Sequence, residues 1–292
     1  MNIFLRLLRV RQWTKNVFII FPLIFSARFM HMALWLNCAL AFMAFCFISS
    51  GMYIINDLVD IKRDRLHPRK SQRPLSSGQI GVPLAINILV VLLCMGLIIC
   101  YTISVDLLYL ALVYILLHSL YNLKTKNVVI MDVLTVAFGF QIRIWAGSVA
   151  IGILPSTWLQ ICVFVLALFM GFTKRRYEIT ALKDKAFQHR FVLRHYSSEL
   201  LDQIINICST LAIVFYSLYA ISPDVVSRLN GKYDMLYSVA FVIYGIFRYL
   251  YLIHVRKEGD DPSEVLLTDA PIIINLILWI SFVVIVIYFN HT

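Results

Sequence analysis

The segment richest in chemistry reads Asn56-Asp57-Leu58-Val59-Asp60-Ile61-Lys62-Arg63-Asp64 and follows directly on a long apolar stretch. If a helix continues through it, Asp57, Asp60 and Asp64 stand at i, i+3 and i+7 and share one face. Three carboxylates so placed repel one another unless a cation is shared among them. Magnesium takes oxygen ligands and keeps a few carboxylates together with substrate phosphates. The spacing therefore suits a Mg2+ ion that bridges Asp57, Asp60 and Asp64 to a diphosphate. The alternative is a solvated acidic helix end, balanced by Lys62, Arg63 and Arg65. A place at the terminus of a membrane helix favours the metal, because ionisable groups there are costly and usually functional.

Downstream comes His67-Pro68-Arg69-Lys70-Ser71-Gln72-Arg73-Pro74-Leu75. Pro68 and Pro74 interrupt helix and hold the basic residues in irregular backbone. Lys70 and Arg73 are candidates for phosphate oxygens, the arginine through a two-pronged fork. Plain topological charge is the competing account of the same residues. A second polar stretch, 174–203, contains Lys174, Arg175, Tyr177, Glu178, Asp184 and Arg194. Its acids are isolated and its bases dominate, which makes a poor metal cage and a good anion site.

The elements that must position these residues are set by composition. Of 292 residues, 61% are hydrophobic and 14% charged, where a soluble domain carries about 25% charged residues. Long uncharged runs recur, and about 20 apolar residues suffice to cross a bilayer as a helix. Nine spans fit, near 14–30, 33–55, 82–103, 105–122, 128–150, 155–173, 204–222, 234–254 and 270–289. They must be helical, because unpaired backbone groups are too costly in lipid. The fold class is all-α, a polytopic membrane protein of nine transmembrane helices in one domain, 1–292.

With the N-terminus in the cytoplasm, all but four of the 26 lysines and arginines fall on the cytoplasmic side. Arg28, Arg228 and Lys232 lie opposite, and Arg143 lies within a span. This is a strong positive-inside signal. It explains the net charge of +10 without nucleic acid as a partner. It also puts the polar segments 57–81 and 174–203 on the cytoplasmic face of the cell (inner) membrane. The basic N-terminus leads into a span without an obvious cleavage site, so no separate signal is expected. The six cysteines sit scattered in apolar runs without a C-x-x-C pair, which indicates packing residues rather than zinc ligands or disulfides. Arg143 lies about 16 Å along its helix from Asp132, too far for a direct bridge. It either lines a cavity or pairs with another buried acceptor.

The run Asn56-Asp57-x-x-Asp60-x-x-x-Asp64, followed by Arg73-Pro74-Leu75 and Gly78, resembles the first signature of the UbiA superfamily of intramembrane prenyltransferases. The number and orientation of the spans agree with a UbiA-like helical bundle. Classical members carry a second aspartate-rich motif after the sixth span, and here the basic stretch 174–203 stands in its place. That departure is similar to one branch, the decaprenyl-phosphate phosphoribosyltransferases. Gln12 to Asn16, Tyr121-Asn122-Leu123-Lys124, Asp132-Val133, Gly139-Phe140, Arg143, Lys174-Arg175-x-x-Glu178, Phe247-Arg248-Tyr249 and Pro262 to Asp269 resemble it as well.

The resemblance implies a Mg-dependent phosphoribosyltransferase. Its donor would be 5-phosphoribose 1-diphosphate (PRPP), its acceptor a polyprenyl (decaprenyl-type) phosphate, and its product a precursor of cell-envelope glycans. Asp57, Asp60 and Asp64 would hold Mg2+ and serve catalysis. Lys15, Asn56, Lys70, Arg73, Tyr121, Lys124, Lys174, Arg175, Tyr177, Glu178, Arg194 and Arg248 would bind substrate. Membrane lipids are the surroundings, and a homo-oligomer is left open. Two other readings stand beside it: an aromatic prenyltransferase using a polyprenyl diphosphate, and an anion transporter.

Overall fold

The computed structural model describes residues 3–26, 31–65, 70–182, 191–256, 265 and 268–289. Within them the regular elements are helical. Eight helical segments are long and apolar enough to cross a membrane. We number the principal helices α1 (Met32–Asp64), α2 (Val82–Ile103), α3 (Val105–Leu123), α4 (Met131–Ala150), α5 (Thr157–Leu182), α6 (Ser198–Ala220), α7 (Val239–Tyr251) and α8 (Ala270–Phe289). The span containing α7 is extended by a 3-10 turn, Asp234–Ser238, and a π-helical turn, Leu252–Arg256.

The expected first span, 14–30, is not one continuous helix. Its described part is a 3-10 helix, Val10–Ile19, and a short α-helix, Phe21–Phe25. Pro22 explains the break, since it has no N–H to give to the carbonyl four residues back. Polar side chains tie the segment to α1 instead: the Trp13 indole N–H donates to Ser50 Oγ at 3.0 Å, and Asn16 Nδ2 donates to Ser49 Oγ at 3.3 Å. Two further boundaries differ from expectation. Helix α1 runs on to Asp64, and α5 runs on to Leu182. The first turns of both expected polar loops are therefore helical.

The chain divides into two compact units. The first comprises Met1–Thr135 and Gly139–Pro155, the second Val136–Phe138 and Ser156–Thr292. In the first, α1 and α4 are mostly buried, while α2 and α3 bury little of their length, as lipid-facing helices do. Its core draws Ile19, Phe45, Ile48, Leu107, Tyr114, Ile142 and Ala146 from four elements. Gly147 permits the closest approach. A Cβ there would lie 1.9 Å from the Ile19 carbonyl oxygen.

Arg143 resolves the choice left open by the sequence. Its guanidinium is buried and donates to Asn16 Oδ1 at 2.7 Å, to the Gly139 carbonyl at 2.8 Å and to Tyr114 Oη at 2.7 Å. It also lies 4.9 Å from the centre of the Tyr114 ring. These acceptors are neutral, so the charge is solvated by dipoles and a π face. The cysteines are free, and Cys38, Cys46, Cys100 and Cys208 are buried, in keeping with a packing role.

In the second unit α5 packs on α6 and α7 on α8. A buried relay crosses three of its elements: the Trp279 N–H donates to Tyr216 Oη at 2.9 Å, and Tyr216 shares a 2.8 Å hydrogen bond with Ser238.

Gly147→Ala is expected to push the N-terminal segment off α4, at an overpacking cost of about 1–3 kcal/mol. Thermal unfolding of the purified protein in detergent reads this as a lowered Tm. An unchanged Tm contradicts the close approach.

Candidate active site

Because α1 continues as an α-helix to Asp64, its three carboxylates share a face as the spacing requires. Asp57 and Asp64 are buried and Asp60 is half-buried. Charged groups in that position need counter-charges, and the first unit supplies three. Arg73 Nη1 lies 3.0 Å from Asp57 Oδ1 and 2.5 Å from Asp64 Oδ2, so one guanidinium nitrogen bridges both. Arg9 pairs with the same Asp57 oxygen and lies over the Tyr53 ring, 4.9 Å from its centre. Lys126 Nζ takes both oxygens of Asp60, at 2.9 and 2.8 Å. Three carboxylates are thus met by three cations.

Each cation is placed by local backbone. Arg73 leads Pro74 and Leu75, and the Leu75 side chain is buried in a core with Leu7, Ile54, Ile80 and Ala85. The turn closes through Ser77 N–H on the Arg73 carbonyl at 2.8 Å and Ile80 N–H on the Pro74 carbonyl at 3.0 Å. Gly78 in this turn has φ +75°, a conformation that glycine adopts without strain. The Arg-Pro-Leu and Gly pattern is therefore a plug and a turn that aim an arginine at α1. Arg9 has φ 52° where the N-terminal helix, Ile3–Leu7, gives way to the 3-10 segment. Lys126 projects from the 3-10 turn Thr125–Asn127 between α3 and α4.

The donor set fits a hard divalent cation. It consists of oxygen atoms only, and Asp57 and Asp64 lie close enough to share one guanidinium nitrogen. Among the described residues, no three Asp, Glu, His or Cys side chains converge into a metal cage. Asp60 is engaged by Lys126, and its two companions are engaged by arginine. The expected metal ligands are side by side on one helix face and held by cations.

Of the other expected site residues in this unit, Asn56 lies half-buried on α1 next to Asp57. Lys70 begins the 3-10 turn that precedes Arg73. Lys15 lies half-buried in the N-terminal 3-10 segment, and Tyr121 lies half-buried near the end of α3. Lys124 is exposed, and the lysine that reaches the carboxylates is Lys126, two residues on. Lys126 and Arg9 are the residues that the sequence reading missed. Their distances to the acids, 66 and 48 residues along the chain, leave no local pattern to find them by.

In the second unit Lys174, Arg175, Tyr177 and Glu178 lie on α5. Arg175 is buried and pairs with Glu178 at 2.6 Å, the i, i+3 geometry of adjacent helical turns. Arg176 pairs with Asp202 of α6. Arg194 is exposed in a 3-10 turn, Phe191–His195. Arg248 of α7 donates to Asp269 at 2.9 and 3.3 Å, and Asp269 also caps α8 by accepting from the Ile272 N–H at 3.0 Å. Chiefly the hydrogen bond from Arg248 holds the Asp269 carboxyl below the usual carboxylate range. Asp184, and Pro262 to Glu264, lie outside the described residues.

Comparison with known proteins identifies the family. The sequence pattern of the UbiA prenyltransferase family matches residues 17–268. A decaprenyl-phosphate phosphoribosyltransferase of Corynebacterium glutamicum is 31% identical over 288 residues, covering 97% of this chain and 86% of that protein. Its namesake in Mycolicibacterium smegmatis is 27% identical, covering 98% of this chain and 92% of that one. Among solved structures, a UbiA homolog of Archaeoglobus fulgidus bound to GPP and Mg2+ superposes with a TM-score of 0.72 at 20% identity, covering 98% of this chain and all of that one. An oxygen-donor triad on a membrane helix, an arginine plugged against it and a family pattern over most of the length lead to one conclusion: the chain belongs to the UbiA prenyltransferase family.

Proposed function

We propose that this chain, acting as one transferase domain over residues 1–292, moves 5-phosphoribose from PRPP to a polyprenyl phosphate at the cytoplasmic face of the membrane. One observation carries the choice among UbiA chemistries. In the described part of 174–203, Glu178 is held by Arg175 and Asp202 by Arg176. These two acids are engaged by arginine, and over 174–203 seven lysines and arginines stand against four acids, so this stretch suits binding anions better than binding a second set of metal ions for a prenyl diphosphate. The relatives named as decaprenyl-phosphate phosphoribosyltransferases support the same choice.

In this reaction the bond from ribose C1 to the diphosphate oxygen breaks, and a bond from C1 to a lipid phosphate oxygen forms. Diphosphate leaves. Asp57, Asp60 and Asp64 would hold a magnesium ion, which would supply charge neutralisation for the departing diphosphate. The carboxylates orient the leaving group. C1 passes through an oxocarbenium-like transition state, as in other glycosyl transfers. The lipid phosphate is ionised near neutral pH, so the chain needs no strong general base. The greater demand is to bring two anionic substrates together. We assign Lys15, Lys70, Arg73, Lys124, Lys174, Arg175, Arg194 and Arg248 collectively to the phosphate groups, and Asn56, Tyr121, Tyr177 and Glu178 to orienting hydrogen bonds.

Purified protein incubated with radiolabelled PRPP, a panel of polyprenyl phosphates and Mg2+ is expected to yield a labelled glycolipid, and EDTA to abolish it. A product formed instead from a polyprenyl diphosphate and an aromatic acid would reject the assignment. Asp57→Asn or Asp60→Asn should reduce turnover by about 10²–10³-fold or more while the protein still elutes as folded. Near-normal activity in either variant removes the metal role. Lys174→Ala is expected to raise KM several-fold with little change in kcat, the pattern of lost uniform binding. A loss confined to kcat would place Lys174 in the chemical step instead.

A further inference from the structure

The paired state of the triad has a consequence for how the site is loaded. Arg73 holds Asp57 and Asp64 at 3.0 and 2.5 Å, Lys126 holds both oxygens of Asp60 at 2.9 and 2.8 Å, and Arg9 holds Asp57. These carboxylate oxygens are the atoms a divalent ion would need. The cations are also the nearest positive charges to any phosphate brought to that ion. The pairs are accessible enough to rearrange, with side-chain exposures of 25% for Arg73, 21% for Arg9 and 12% for Lys126. Arg73 and Lys126 both come from short 3-10 or irregular connections rather than from the long helices.

We propose that Arg73, Lys126 and Arg9 are exchangeable counter-ions of the aspartate triad. They neutralise Asp57, Asp60 and Asp64 first, then yield the carboxylate oxygens to the metal and turn to the phosphate oxygens of the incoming diphosphate. The proposal rests on the metal–diphosphate reading of the site given above. No bond is made or broken in the exchange; ion pairs change partners and the charges stay matched. Metal alone must displace tethered cations that then have no anion to face. Diphosphate alone meets cations already occupied. Together each frees what the other needs, so metal and diphosphate bind with positive coupling, and that coupling is reciprocal. Such a site discriminates against free metal ions and against phosphates that arrive without one.

The test uses the full chain in detergent micelles, with Mn2+ as the metal probe and inorganic pyrophosphate as the anion probe. Bound Mn2+ is read from the loss of the free-ion electron paramagnetic resonance signal, corrected for Mn–pyrophosphate complex in protein-free buffer. In the unmodified chain, pyrophosphate is expected to tighten Mn2+ binding by about tenfold or more. Lys126→Gln should tighten binding of Mn2+ alone by roughly two- to fivefold, the worth of a partly exposed ion pair, and weaken the pyrophosphate effect. Arg73→Gln, which releases two carboxylates, should do both more strongly. The opposite signs separate exchange from simple structural damage, which would weaken both. The two residues lie on different segments, so either variant alone can decide. Mn2+ binding that Asp57→Asn removes, but that neither variant tightens, overturns the exchange and leaves the metal site standing. Mn2+ binding that is indifferent to Asp57→Asn overturns the site reading and the exchange with it.

Discussion

Carboxylates at the end of a membrane helix must be matched by charge where they stand, because water is scarce there and burial of an unpaired ion is expensive. That requirement organises the first unit. Asp57, Asp60 and Asp64 lie on one face of α1, and the chain returns three times to neutralise them: from the N-terminal segment with Arg9, from the turn after α1 with Arg73, and from the turn after α3 with Lys126. Each return is anchored by apolar or polar packing of its own. The Leu75 plug, the Trp13 and Asn16 hydrogen bonds to α1 and the 3-10 turn at Thr125–Asn127 serve this end.

The second unit meets the same constraint by pairing within itself. Glu178, Asp202 and Asp269 each take an arginine, and two of these pairs join neighbouring helices. Acids that secure arginines at fixed places on a helix give a basic surface with defined geometry. The acids in this region serve to aim positive charge.

Sequence and structure agree where the physics is local. The alternation of long apolar runs with charged breaks located α2, α3 and α8 nearly to the residue, because burial in lipid leaves the chain little choice. The i, i+3, i+7 spacing of the aspartates depends only on helix continuity, and α1 supplies it. The described part of the first expected span is broken rather than continuous, because hydropathy counts apolar residues and does not register that Pro22 lacks a hydrogen-bond donor. The polar stretches 57–81 and 174–203 lie beyond the ends of the expected spans, yet both start as helix, because charged residues at a helix end do not stop it while backbone bonds continue. Lys126 and Arg9 were beyond reach for a different reason. Their role arises from where turns place them after the helices have packed, and Lys124 looked equally suitable by type and position.

Arg143 bears on how the chain enters the bilayer. A guanidinium at mid-helix raises the cost of inserting that helix by roughly 2.5–3.5 kcal/mol. Its acceptors outside α4, Asn16 and Tyr114, both precede it in the sequence. During synthesis the ribosome therefore delivers the solvating groups first, and α4 emerges last among these partners. The arginine can be stabilised as its helix leaves the translocon, without waiting for residues still to be made. The order of the genetic message, as well as the finished packing, makes a buried cation tolerable here.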